Sequence, residues 1–251
     1  MPELIILGTA ASVPDAGHDT VGLLLRGPGW AVLVDCGGSP LYKLARWGVE
    51  PDQIRAIVLT HRHADHLYGL PMLVQGLWLA GRQARLPVYG PQETLDVARR
   101  LLELFQLAER PDMFALEWHP VPNREGVTVL EVEGVRISAT PTSHADVDSL
   151  ALRFEQDSAG PAIVYSSDTR PCPALVRLAA GAGLLLHEAT GNYPGHSSPA
   201  QAAEAARLAG VARLGLIHYP VRGVDLEGWR LAATGFPGEV FLAQDGDRYP
   251  L

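Results

Sequence analysis

Thr60-His61-Arg62-His63-Ala64-Asp65-His66 sets three imidazoles and a carboxylate side by side, directly behind the apolar run Arg55-Ala56-Ile57-Val58-Leu59. The Val and Ile of that run predict a buried strand. The cluster then falls on the loop at a strand's C-terminal end, where open α/β sheets carry their sites. In a hairpin-like turn alternate residues point to opposite sides, so His61 and His63 can face one metal while Asp65 and His66 face a second. Neutral imidazole and carboxylate suit zinc, manganese or iron, and no neighbouring cysteine narrows the choice. A solvated histidine patch is the plainer alternative, but it gives no reason for an Asp-His pair at this spacing behind a strand.

Towards the N-terminus, Trp30 to Val34 and Val21 to Leu25 flank the turn Arg26-Gly27-Pro28-Gly29 and read as a hairpin. Asp35-Cys36-Gly37-Gly38 closes its second strand. Asp35 is a candidate to orient a ligand histidine, since a ligating imidazole donates its other N–H to an acceptor; a turn-forming Asp-x-Gly is an equally good reading. Leu41 to Trp47 is a short helix stopped by Gly48. Leu4 to Leu7 is the first strand, running into the small-residue loop Gly8-Thr9-Ala10-Ala11-Ser12-Val13-Pro14.

Towards the C-terminus, Leu67 to Ala80 has helical apolar spacing, with Pro71 in its first turn and Gly81 as its stop. Pro87 to Gly90 is a short strand. Gln92 to Leu107 is an amphipathic helix whose stripe Leu95, Leu102 and Phe105 is expected in the core. Phe114 to Val121, Val127 to Val132 and Val135 to Thr140 are strands, read as the start of a second sheet. Ser149 to Phe154 and Pro161 to Tyr165 form a hairpin that delivers Ser166-Ser167-Asp168-Thr169-Arg170-Pro171-Cys172. Leu184 to Leu186 lead into His187-Glu188-Ala189-Thr190. Gly195-His196-Ser197-Ser198 then precedes the alanine-rich helix Pro199 to Leu208, which Ser197 or Ser198 can cap. Leu214 to Ile217 is a strand ending in His218, Leu226 to Leu231 is helical and Val240 to Leu242 is a strand.

The 251 residues are enough to bury a large core, and without internal linker or repeat they read as one domain, 1–251. A hydrophobic content of 47% with 19% charged residues describes an ordinary soluble globule, and the net charge of -8 argues against a globally basic nucleic-acid binder. Cys36 and Cys172 provide no disulfide framework, which points to a reducing cytoplasm. The N-terminus has no basic region and too short an apolar run for a signal peptide, and no membrane span is expected.

His-x-His-x-Asp-His behind a strand resembles the signature of the metallo-β-lactamase superfamily, which implies an α/β fold in four layers, an αββα sandwich. Other stretches resemble the ribonuclease Z-like branch of that superfamily: Gly8-Thr9, Asp168-Thr169-Arg170-Pro171-Cys172 with Ser167 where the family has Gly, His187-Glu188-Ala189-Thr190, and His196-Ser197-Ser198 with Ser198 for Thr. After His218 the chain departs from the pattern, keeping only Arg222 of it.

The resemblance implies two divalent metal ions, zinc first and manganese second. His61, His63 and His144 would hold one, Asp65, His66 and His218 the other, and Asp168 would bridge them, offsetting the repulsion of two close cations. Asp65 would accept the proton of the attacking water. A phosphodiester also needs its leaving alkoxide protonated, and His196 oriented by Glu188 could supply that proton. Thr169, Arg170 and Cys172 read as packing as readily as function, and Arg62, Arg170 and Arg222 as surface charge more readily than as phosphate contacts.

The expected activity is therefore that of a binuclear phosphodiesterase. Ribonuclease Z carries an arm that clamps tRNA, inserted between the strand bearing His144 and that bearing Asp168. Here 23 residues separate the two, just enough for a hairpin. Small or cyclic phosphodiesters or short RNA are therefore favoured as substrates, with tRNA 3′-end processing the alternative. A glyoxalase II-like thioesterase or lactonase is a reading from another class, as is a diiron redox module. The latter usually has Glu at the place of His63 and a flavin partner domain, neither of which this sequence has. A homodimer is implied by the family analogy alone.

Overall fold

The first strand of the chain buries both faces, and the alternation of its side chains explains why. In β1 (Glu3–Gly8), Leu4 and Ile6 pack towards the second sheet while Ile5 and Leu7 pack towards helices. The computed structural model describes residues 1–107, 109–156 and 160–251. After β1 come β2 (Gly22–Gly27), β3 (Trp30–Val34), α1 (Pro40–Arg46), β4 (Ile54–Val58), α2 (Ala64–Leu67), α3 (Leu70–Leu79), β5 (Leu86–Gly90), α4 (Gln92–Leu104) and β6 (Leu116–Pro120). Then follow β7 (Val127–Val132), β8 (Val135–Pro141), β9 (Leu150–Gln156), β10 (Ile163–Tyr165), α5 (Pro173–Ala179), β11 (Leu184–Glu188), α6 (Pro199–Ala209), β12 (Arg213–Ile217), α7 (Leu226–Leu231), β13 (Glu239–Leu242) and β14 (Arg248–Pro250).

The strands form two mixed sheets, in the orders β14-β1-β2-β3-β4-β5-β6 and β13-β12-β11-β10-β9-β8-β7. Three apolar clusters fill the three gaps between four layers. One lies between the sheets and includes Leu23, Val32, Ile137, Phe154 and Leu186; a second joins the first sheet to α1, α3 and α4; a third joins the second sheet to α5 and α6. This is the expected αββα sandwich. Strands β3 to β6 run parallel to one another, as do β10 to β13, so in each sheet their C-terminal ends share an edge.

Four expectations need correction. The helix expected over 67–80 is broken at Tyr68-Gly69 into α2 and α3, because Gly69 N–H donates to the Cys36 carbonyl (2.9 Å) and a Cβ there would meet Cys36 O at 2.6 Å. Consequently Asp65 and His66 stand on a helical turn rather than on a hairpin-like loop. Phe105 is 59% exposed: α4 stops one residue earlier, and Leu107 folds back instead, its N–H on the Leu102 carbonyl (3.0 Å). The strand expected over 114–121 is β6, and it closes the first sheet beside β5; the second sheet begins at β7. The α6 cap is Ser198, which accepts from Gln201 N–H, and Gly210 at φ 64° ends the helix. The turn of the hairpin expected over 149–165 includes residues 157–159, outside the described residues.

Candidate metal centre

Loops from the C-terminal ends of β4, β8, β10 and β12 bring seven side chains to one buried point. Ligand-capable atoms of His61, His63, His144 and Asp168 lie within 4.8 Å of one another, as do those of Asp65, His66 and His218. His63 Nδ1 is 3.2 Å from His61 Nε2 and 3.0 Å from His144 Nε2. Three ring nitrogens cannot satisfy one another in a triangle, whereas tetrahedral ligands about 2.0–2.1 Å from a zinc ion would stand at about this separation.

The other ring nitrogens are held from behind. His61 Nδ1 meets Thr60 Oγ1 (3.1 Å), His144 Nδ1–H donates to the Gly195 carbonyl (2.8 Å), and His66 Nδ1–H donates to Asp35 Oδ2 (2.8 Å). His218 Nδ1 faces Thr190 Oγ1 at 2.8 Å. These contacts leave the Nε2 atoms of all four rings turned inward, the outer support that ligating histidines need. Asp35 thus does orient a candidate ligand. It also accepts from the N–H and hydroxyl of Thr60, both at 2.8 Å.

Asp168 faces both groups. Its Oδ2 is 3.7 Å from His61 Nε2, 3.7 Å from His144 Nε2 and 3.5 Å from His218 Nε2, and its Oδ1 is 3.6 Å from His66 Nε2. That last separation is too long for a hydrogen bond, and both atoms are buried with no hydrogen-bond partner among the described residues. Orphaned polar atoms aimed into a pocket of imidazoles and carboxylates fit a divalent cation, which would satisfy both.

The charge balance agrees. Burial, reinforced by neighbouring imidazoles, pushes His61, His63 and His144 below the usual histidine range, so they are neutral and ready to ligate. In the other group burial also favours neutrality but is outweighed. The carboxylates of Asp35 and Asp168 raise His66, Asp168 and Asp65 raise His218, and the two imidazoles hold Asp168 and Asp65 low. The upward pull of these carboxylates on His66 and His218 marks the place where a cation's charge would be favoured.

Beside the cluster, Glu188 is fully buried and accepts from four donors: Thr169 N–H (3.1 Å), Ser197 N–H (3.1 Å), Thr190 N–H (2.9 Å) and His196 Nδ1–H (3.0 Å). His196 stacks on His218 with ring centroids 5.8 Å apart and meets His144 edge-on at 4.7 Å. Its Nδ1 is 3.9 Å from Asp168 Oδ2, but with that nitrogen committed to Glu188, Nε2 is the atom free to face a substrate.

All nine candidate site residues therefore meet. The secondary candidates mostly do not. Arg62 reaches Glu93 (3.3 Å), Arg170 donates to Ser143 Oγ (2.7 Å), Cys172 leads into α5, and Arg222 is exposed. Thr60, Thr190 and Gly195 were not anticipated as supports, although each adjoins a motif residue. Ser12 was not anticipated at all: its hydroxyl donates to Asp65 Oδ2 at 2.7 Å, and nothing in a small-residue loop marks it.

Comparison with known proteins agrees with this geometry. A family model described as a beta-lactamase superfamily domain matches residues 31–219, from β3 to just past His218. Ribonuclease Z of Mycobacterium sp. (strain KMS) is 34% identical over 98% of this chain and 94% of its own length. The metallo-beta-lactamase fold protein YhfI from Bacillus subtilis superposes with a TM-score of 0.82 at 26% identity, each chain being fully covered. The short form of human tRNase Z superposes with a TM-score of 0.78 at 26% identity, covering 99% of this chain and all of that one. With the motifs, the fold and these relatives in agreement, the chain belongs to the metallo-β-lactamase superfamily, in its ribonuclease Z-like branch.

Proposed function

We propose that this chain is a binuclear, metal-dependent phosphodiesterase whose substrates are small or cyclic phosphodiesters or short RNA. His61, His63 and His144 would hold one cation, Asp65, His66 and His218 the second, and Asp168 both, with zinc the best match to this donor set and manganese the next. When bound, such cations supply Lewis acidity and bring the ionisation of water near neutral pH. The chain supplies the proton transfers. Asp65 would accept a proton from the attacking water, and His196 would donate one to the departing alkoxide.

The observation that carries this reading is the Glu188–His196 pair, 3.0 Å apart at the edge of the cluster. A thioester releases a thiolate, which leaves without a proton; an alkoxide does not. A buried carboxylate fixed by three backbone amides and spent on one imidazole is therefore superfluous for a thioesterase and useful for a phosphodiesterase.

Pre-tRNA processing is the second reading, supported by relatives named ribonuclease Z. Against it, residues 157–162 are all that join β9 to β10, where the family's arm would be inserted. The alignment with the mycobacterial relative spans 273 positions, so that relative carries residues this chain lacks. With a net charge of -8, the phosphate contacts that dominate binding of long nucleic acids have no ready source. The free Cys36 and Cys172 suit a cytoplasmic protein, and among the described residues no helix is long and apolar enough to cross a membrane. A homodimer follows from the family analogy, and sedimentation of the purified protein checks it.

The test compares metal-loaded wild type and His196→Ala on two phosphodiesters, one losing p-nitrophenolate and one an alkoxide such as a cyclic nucleotide, beside a thioester and a lactone. The variant should lose about 10²- to 10⁴-fold on the alkoxide ester and far less on the nitrophenyl ester, whose leaving group needs no proton. Thioester or lactone turnover that survives the substitution, with no phosphodiester cleavage, overturns the reading.

A further inference from the structure

Asp65 Oδ2 is the oxygen turned into the cluster, 3.3 Å from His218 Nε2 and 3.9 Å from His66 Nε2. It also accepts the Ser12 hydroxyl at 2.7 Å, whereas Oδ1 has no hydrogen-bond partner among the described residues. Ser12 is exposed and stands on the loop joining β1 to β2, far from Asp65 in sequence. That loop is tied down beside it. Ala10 bridges to both Thr20 and Tyr219, Ala11 N–H donates to the Tyr219 carbonyl (3.1 Å), and Tyr219 N–H donates to the Thr9 carbonyl (3.3 Å). Tyr219 follows His218 directly, so the backbone that presents Ser12 is anchored to the backbone that presents a candidate ligand.

We infer that Ser12 is a positioning residue that divides the work of the Asp65 carboxylate, fixing Oδ2 as the cation-facing oxygen and leaving Oδ1 as the proton acceptor. A carboxylate oxygen has two lone-pair directions. With one on the Ser12 proton and the other turned towards a cation, Oδ2 would be fully used. The side chain cannot rotate to exchange its oxygens without breaking the serine contact, so Oδ1 keeps one orientation. Were His218 to ligate through Nε2, it would carry no proton there, and the Ser12 hydroxyl would be the one side-chain donor remaining on Oδ2 among the described residues.

This inference rests on the proposed assignment of Asp65, and two readouts keep the two apart. The test uses Ser12→Ala and Ser12→Thr, with turnover of a phosphodiester by the zinc-loaded protein and, separately, the visible absorption and chelator release of cobalt(II)-substituted protein. Ser12→Ala should lower kcat about 10- to 100-fold with KM within about twofold, shift the cobalt bands and speed cobalt release, and Ser12→Thr should restore all of these. The inference is overturned if Ser12→Ala keeps kcat within about twofold and leaves the cobalt bands in place, or if Ser12→Thr is as impaired as Ser12→Ala. Wild type that binds cobalt but cleaves no phosphodiester would sink the functional reading instead, while the response of the cobalt bands to Ser12→Ala would still decide the serine contact.

Discussion

Asp35 shows how one side chain behind a site governs it. Fully buried at φ 59°, it holds Thr60 at the start of the ligand loop and His66 within the cluster. Asp35→Asn keeps the shape but turns an N–H2 towards a neighbour. If the amide faces His66, donor meets donor at Nδ1; if it faces Thr60, the same conflict falls on a backbone N–H. Metal affinity measured by chelator competition should fall about 10- to 100-fold in this variant, with the fold retained. Unchanged affinity would mean that His66 needs no outer partner. Most of this site was legible in the sequence because its residues cluster in contiguous motifs at strand ends. Ser12 was not, since a serine in a loop acquires meaning only from a carboxylate 53 positions away. Nor was the strain. Asp35, Ala145, Ser167 and His218, each a site residue or next to one, all take positive φ, and non-glycine residues give no such signal.

Elements were legible where the pattern was local. The apolar runs became strands within a residue or two, but the break between α2 and α3 lies inside continuous helical spacing, and β6 carries no mark of which sheet it joins. Two elements permit tests away from the site. Strands β7 and β8 turn at Glu133-Gly134, with φ 48° and 78°, and Val132 pairs with Val135. A two-residue hairpin turn with both φ positive favours Asn at its first position. Glu133→Asn should therefore raise the unfolding free energy by about 0.5 kcal/mol in denaturant titration and leave turnover unchanged; a loss of stability would mean the turn is not of this type. At the opposite edge Glu3 joins three strands, accepting from Arg26 of β2 (2.9 Å) and Arg248 of β14 (2.8 Å). The Arg248 hydrogen bond, above all, and Arg26 hold its carboxyl below the ordinary value of 4.5 despite partial burial. A depressed carboxylate pKa stabilises above the unfolded value and ceases to do so as pH falls through the folded one. Glu3→Gln should cost at most about 1 kcal/mol at pH 7, and that difference should vanish in the acid range below 4.5. A cost independent of pH would assign it to packing.

At the scale of the whole molecule, the candidate metal centre lies across the seam between the sheets. His61, His63, Asp65 and His66 follow β4 of the first sheet; His144, Asp168 and His218 follow β8, β10 and β12 of the second. Below them the two sheets meet through the apolar cluster, which has no preferred register, so a cation held by both sides would add a directional link at this edge to the backbone hydrogen bonds that join Thr9 and Ala11 to Tyr219 and Thr60 to Leu150. Binding to the folded state alone stabilises by mass action, about 2.7 kcal/mol when the free metal is at 100 times its dissociation constant and about 4.1 kcal/mol at 1,000 times. For a chain of this length each kcal/mol moves Tm by roughly 2–4 °C. Stripping the metal with a chelator should therefore lower Tm by about 5–15 °C, and zinc should restore it. Because the link joins the sheets at one edge, hydrogen exchange should quicken together in the loops after β4, β8, β10 and β12. The β7–β8 turn and the β1–β14 edge should keep their protection. Uniform loss of protection would make the metal a support of the entire core rather than of this seam, and an unchanged Tm would show that seven converging ligands hold no cation that matters to the fold.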